Sequence, residues 1–144
     1  MKINRIVPNC MFENGVSADI YFAGCKHRCK GCYETDLWDF NNGIEMNPDQ
    51  VVSLANKYNP DAYVLLGGDP LFSPSDAFDL VERLRQEEKP IWLLTGFTRK
   101  QIKENALFEE IFNRCNVVKT GKYIPELKQS GFPSSSNQRV WRNR

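Results

Sequence analysis

Apolar residues along this chain fall into short blocks that alternate between strand-like runs and helix-like spacing. The first clear run is residues 18–23, ADIYFA, apolar and aromatic and closed by Gly24. A polar stretch over residues 36–47 leads to Asn47-Pro48, an N-cap followed by a proline at the first helical position. A helix over residues 48–57 then carries Val51, Val52, Leu54 and Ala55 on one face. Asn59-Pro60 stops it, and residues 62–66, AYVLL, form a buried strand that ends in Gly67-Gly68-Asp69-Pro70.

The alternation continues. A helix starting at Ser75 turns Phe78, Leu80, Val81 and Leu84 to the core and leaves its charged RLRQEEK face to solvent. After Pro90, residues 91–94 form a strand ending at Thr95-Gly96. One helical region follows, with Ile102, Leu107, Ile111 and Phe112, and then a short strand at Val117-Val118 running into Thr120-Gly121. The remainder reads as irregular and polar, with Arg142 and Arg144 in a solvated tail. Strand and helix in turn predict parallel βαβ units, an α/β fold. The cysteine-rich loop, Gly67–Asp69, Thr95-Gly96 and Thr120-Gly121 each follow a strand's C-terminal end, the edge at which parallel sheets bind ligands.

Composition narrows the classes. A length of 144 residues suits one domain spanning 1–144, long enough to bury roughly two thirds of its unfolded surface. A net charge of +1 argues against a general nucleic-acid or membrane-surface binder. No apolar run reaches membrane-spanning length, and MKINRIVPNC lacks a signal peptide's apolar core, so the chain is expected to be cytoplasmic. Five cysteines in such a chain point to metal or redox chemistry and not to a disulfide framework.

Three of them, Cys25, Cys29 and Cys32, form Cys-x3-Cys-x2-Cys, and thiolates this close can reach one small metal centre. A closed structural zinc site wants four ligands, usually as two arms, and no second arm is present. His27, inside the loop, or a distant cysteine is the alternative fourth ligand; a structural role for His27 is the simpler reading. Cys10 and Cys115 are expected to be small buried hydrophobes. An iron–sulfur cube with three protein ligands and one exposed iron fits the spacing better than zinc. Gly67-Gly68 permits close backbone approach to a ligand, and Asp69 offers an anionic acceptor for an ammonium group. Tyr33, beside the last cysteine, either covers the metal group or serves as an ordinary core aromatic.

GCKHRCKGCY followed by GGDPL resembles the radical S-adenosylmethionine (SAM) superfamily. With Asn14-Gly15, Trp38, IWLLTGF at 91–97, GKY at 121–123 and NQRVW at 137–141, the chain is most similar to the family that activates anaerobic ribonucleoside-triphosphate reductase. It departs from that family at Val16-Ser17, where the pattern has Pro-Gly. It departs again at Thr120, in place of an aspartate, and at Pro133-Ser134-Ser135, in place of Arg-Gly-Ser.

The resemblance implies a small, incomplete (β/α) barrel of the radical SAM type. It implies a [4Fe–4S] cluster on Cys25, Cys29 and Cys32, with SAM's amino and carboxylate groups on the fourth iron. Gly67, Gly68 and Asp69 would receive the amino group, and the backbone of Gly31, Cys32 and Tyr33 would meet the adenine side. An electron from a donor such as reduced flavodoxin would cleave SAM to a 5′-deoxyadenosyl radical, which takes a hydrogen from a glycine of the reductase's glycyl-radical subunit. No catalytic residue beyond the cluster and SAM is needed. The competing readings are a radical SAM enzyme acting on a small molecule, resembling deazapurine synthases, and a non-catalytic metal-binding module.

Overall fold

The computed structural model describes residues 1–12 and 15–143. Its framework is a seven-stranded sheet built from β1 (Lys2–Phe12), β2 (Gly15–Phe22), β3 (Ile44–Glu45), β4 (Ala62–Gly67), β5 (Ile91–Leu94), β6 (Val117–Thr120) and β7 (Arg139–Arg142). The strands lie in the order β3-β1-β2-β4-β5-β6-β7. The four central strands, β2, β4, β5 and β6, are parallel, while β1, β3 and β7 flank them antiparallel. Helices α1 (Pro48–Asn56), α2 (Pro74–Arg85), α3 (Arg99–Lys103) and α4 (Ala106–Arg114) connect the parallel strands. The α/β class and its parallel centre therefore agree with the pattern of the chain.

Besides the two-residue β3, which forms inside the stretch read as polar, three elements differ from expectation. β1 is a strand although Pro8 interrupts its apolar pattern. Proline is tolerated because β3 reaches only Lys2 and Ile3, so the rest of that side of β1 is an edge with no ladder to break. The single helical region after β5 is two helices, because Asn105 accepts a hydrogen bond from Phe108 N at 3.1 Å and caps a new start. β7 forms from the polar tail: it pairs with β6 from Thr120↔Arg139 to Val117↔Arg142, and Arg142 stands over the Trp92 ring at 5.5 Å. Arg142 is therefore part of a strand and not a free solvated tail; Arg144, like Asn14, lies outside the described residues.

Period-two alternation in the strands separates two faces. Ile20, Leu65, Leu93 and Val118 pack under the helices with Val51, Leu80, Ile111 and Phe112 in the main core. Each such aliphatic side chain contributes about 2 kcal/mol by leaving water. Val64, Trp92 and Val117 point the other way, into a smaller apolar cluster over which Phe132 lies, its ring 6.1 Å from that of Trp92. The expected cap at Asn47 is present as a full capping box with Gln50.

The two lone cysteines diverge. Cys115 is buried as expected, and burial pushes its thiol up to about 12. Cys10 is exposed, because it lies on the edge strand and not under the helices, which corrects the expectation of a buried side chain. Iodoacetamide at mildly alkaline pH is expected to label Cys10 and spare Cys115 in the folded protein, with Cys115 labelled only after denaturation. Peptide mass spectrometry reads both sites, and equal labelling in the folded state would contradict the assignment.

A tri-cysteine cavity at the strand ends

The C-terminal ends of the parallel strands converge on a cavity of about 250 Å³. Cys25, Cys29 and Cys32 line it from the loop after β2, Gly67, Gly68 and Asp69 from the end of β4, Thr95 and Gly96 from β5, and Lys119 and Gly121 from β6. All four strand-end segments singled out in the sequence thus meet. Tyr33 also lines the cavity; Gly31 does not, and its backbone packs so closely on Pro125 that a Cβ would lie 2.9 Å from that ring.

Backbone hydrogen bonds hold the cysteine loop to the turn after β4. Gly68 N donates to Phe22 O and Asp69 N to Gly24 O, both at 2.9 Å, and Gly24 N donates to Leu37 O at 2.8 Å. The approach leaves no room for a side chain: a Cβ on Gly68 would lie 2.4 Å from Gly24 O.

Asp69 is the polar centre of this arrangement and is only 2% exposed. Its carboxylate accepts from Leu71 N at 3.0 Å, from Thr95 Oγ1 at 3.0 and 2.9 Å, and from Gly96 N at 2.8 Å. His27 Nε2 lies 2.7 Å from Asp69 Oδ2, and the imidazole packs against Phe72 and Phe97, with ring centroids 4.7 and 4.6 Å away. His27 is thereby held as a structural tie between the cysteine loop and the strand ends. The sequence signal for it was indirect: the only histidine of the chain sits inside the cysteine motif.

The cysteines are half-buried. Burial pushes the Cys25 thiol up to about 11, and burial followed by the neighbouring Cys32 raises that of Cys29. Both thiols are protonated near neutrality without metal, so loading releases protons. Among the described residues, no three His, Cys, Asp or Glu side chains gather closely enough to hold one metal ion. That spacing does not suit a single zinc, whereas a cube offers a separate iron to each thiolate. Trp38 Nε1, buried on the same cavity wall, has no hydrogen-bond partner among the described residues, and cluster sulfur is an acceptor that would satisfy it. Donor set and orphaned N–H both fit an iron–sulfur group.

Around the rim, Tyr33 is 73% exposed and pairs with Tyr123, their rings 5.6 Å apart, so it is not a core aromatic. Asn137 Nδ2 donates to Lys122 O and Gln138 Nε2 to Gly121 O, which gives the NQR segment its structural role in holding the end of β6. Thr120 Oγ1 accepts from Trp141 Nε1 at 3.0 Å, tying β7 to the same place. Lys119 and Tyr21 were not anticipated as cavity residues, because each reads as an ordinary interruption of an apolar strand.

A parallel α/β sheet with three thiols at its ligand-binding edge defines an iron–sulfur domain. Residues 13–141 match the family described as a 4Fe-4S single cluster domain. The chain is 33% identical to the anaerobic ribonucleoside-triphosphate reductase-activating protein of Enterobacteria phage T4, over 99% of this chain and 95% of that one. It is 32% identical to the protein of the same name from Escherichia coli K12 and 30% identical to that from Vibrio cholerae, over 88% and 89% of this chain and 88% of each relative. The chain belongs to this family of activating proteins, and nearly all of it matches a 4Fe-4S single cluster domain.

Proposed function

We propose that this protein activates an anaerobic ribonucleoside-triphosphate reductase by generating a glycyl radical on it. The observation that carries the reading is the meeting of three thiols with the Gly67-Gly68-Asp69 turn in one cavity at the parallel strand ends. Cys25, Cys29 and Cys32 would hold the [4Fe–4S] cluster. When bound, that cluster supplies the electron that cleaves SAM to methionine and a 5′-deoxyadenosyl radical, the oxidant of the glycine Cα–H bond.

The chain's own residues position and shield. The Gly67-Gly68 turn would receive the amino group of SAM; it sits this close to the cysteine loop because a Cβ on either residue would collide with the backbone of Phe22 or Gly24. Asp69 holds that turn against Thr95, Gly96 and His27. The backbone of Cys32 and Tyr33 is assigned to the adenine side, with Gly31, which lies off the cavity, letting the loop turn there. Apolar walls from Leu66 and Leu94 exclude water. The parallel centre with unclosed edges at β3 and β7 supports a small, incomplete radical SAM barrel. No described helix is long and apolar enough to cross a membrane, in keeping with a cytoplasmic reaction fed by a donor such as flavodoxin.

The test is anaerobic reconstitution with iron and sulfide, followed by dithionite and SAM. Release of 5′-deoxyadenosine is expected, and addition of the reductase should produce the EPR doublet of a glycyl radical. A fully loaded cluster that leaves SAM intact would exclude both enzymatic readings. Cleavage without a glycyl doublet would exclude the activase.

A further inference from the structure

One charged side chain of the cavity has no role in the reading above. Lys119 is on β6, one residue beyond Val118, which faces the helices, and two beyond Val117, which faces away from them. Strand alternation puts Lys119 on the Val117 side, where it lines the cavity. Its ammonium carries three donors but makes a single hydrogen bond among the described residues, to Thr95 O at the long distance of 3.4 Å. The nearby groups of negative charge are Asp69 and, once it is a cluster thiolate, Cys29. Asp69 already accepts from four groups of the chain, and Cys29 is assigned to the cluster.

Other charges on the cavity wall are provided for. Glu34 is paired with Arg5 at 2.8 Å, Asp69 with His27 at 2.7 Å, and Lys122 is exposed to water. Lys119 is partly buried, and a cation withdrawn from water is costly unless hydrogen-bonded; Asp69 is near but its oxygens are engaged by other donors. Its position invites an anion from outside the chain.

The structure supplies a matching geometry. β4, β5 and β6 are adjacent parallel strands, about 4.8 Å apart. Gly68 follows β4, and the Lys119 ammonium reaches over the end of β5 to the carbonyl of Thr95, whose hydroxyl holds Asp69. The turn assigned to the amino group and the Lys119 ammonium therefore line one cavity from either side of the β5 end, where the two charged groups of an α-amino acid zwitterion could each find a partner. We propose that Lys119 Nζ pairs with the carboxylate of the methionyl end of SAM while the Gly67-Gly68 turn takes its amino group. The pairing rests on the SAM reading of the site. Lys119 is thus a substrate-binding residue that selects for the carboxylate, and Thr120, tied to Trp141, holds its strand end in place.

The test compares two ligands on one protein. Equilibrium dialysis under anaerobic conditions measures binding of SAM and of decarboxylated SAM to the reconstituted protein and to Lys119→Met and Lys119→Gln. The wild-type protein is expected to prefer SAM by roughly 10- to 100-fold, the range of a hydrogen bond to a charged group. Both variants are expected to lose about tenfold of that preference, the remainder coming from the carboxylate's own place on the fourth iron. The ratio is taken within each protein, so altered cluster loading or stability cancels. Variants that keep the full preference overturn the pairing, even if their cluster potential shifts, which would instead make Lys119 a counter-charge to the cluster. A wild-type protein that binds neither ligand overturns the SAM reading itself.

Discussion

Alanine at any one of Cys25, Cys29 or Cys32 is expected to abolish the cluster. Anaerobic reconstitution of each variant should leave iron and sulfide near background, no visible thiolate-to-iron charge-transfer band, and no EPR signal after dithionite. The reason is the ligand count. The site has three thiols and no replacement, since the one histidine is tied to Asp69 and Phe97, and Cys10 and Cys115 do not line the cavity. Two thiolates leave half the irons of a cube to solvent. Release of 5′-deoxyadenosine should fall to background with the cluster. Cys10→Ala and Cys115→Ala are the controls: both should load fully, with Cys115→Ala costing about 1 kcal/mol of stability through lost packing. Full cluster content in any of the three cavity variants would show that the ligand set is wrong.

Asp69→Ala is expected to be the most destabilising single change at the site. It removes the acceptor for His27 Nε2, Leu71 N, Thr95 Oγ1 and Gly96 N at a position only 2% exposed. A buried donor left unpaired costs about 1–3 kcal/mol, and water entering the gap recovers part of that, so a net loss of roughly 3–5 kcal/mol is expected. Urea unfolding measures it as a lower midpoint at unchanged slope. Asp69→Asn keeps one oxygen but turns an amide NH2 toward donors, so it should fall between the wild type and Asp69→Ala. SAM cleavage should drop with both, because the Gly67-Gly68 turn and the cysteine loop are fastened through this carboxylate. A loss below about 1 kcal/mol in Asp69→Ala would mean that the backbone bonds from Gly68 and Asp69 hold the loop without it.

Much of this was legible in the chain. Helix α1 declares itself through Asn47-Pro48 and its apolar face, and β4 and β5 through continuous apolar runs, because those signals are local. The placement of the cysteines and of Gly67–Asp69 at strand ends followed from the same order. The missed strands depend on partners far away in sequence. β1 accepts Pro8 only because its neighbour β3 is two residues long, and β7 is polar because it needs little beyond the ladder from β6. The break between α3 and α4 was local but weak, a single Asn105 cap within an otherwise periodic helix.

What the sequence by itself determined is the chemistry: three thiols at Cys-x3-Cys-x2-Cys, a glycine turn open to a ligand, and an alternation of strand and helix that brings both to one edge. Ligand identity and spacing are properties of the residues, so no coordinates were needed. Only the tertiary structure decided how those residues divide the work. Asp69 reads as a free anion for a ligand, yet in the fold it is enclosed by donors from three segments and acts as the fastening of the site. Lys119 drew no notice in the sequence, yet strand alternation and the Thr95 carbonyl turn it into the cavity. The physical reason is the same in both cases. A side chain's charge is written in the sequence, but its partners and its access to water are fixed by which distant strands lie beside it.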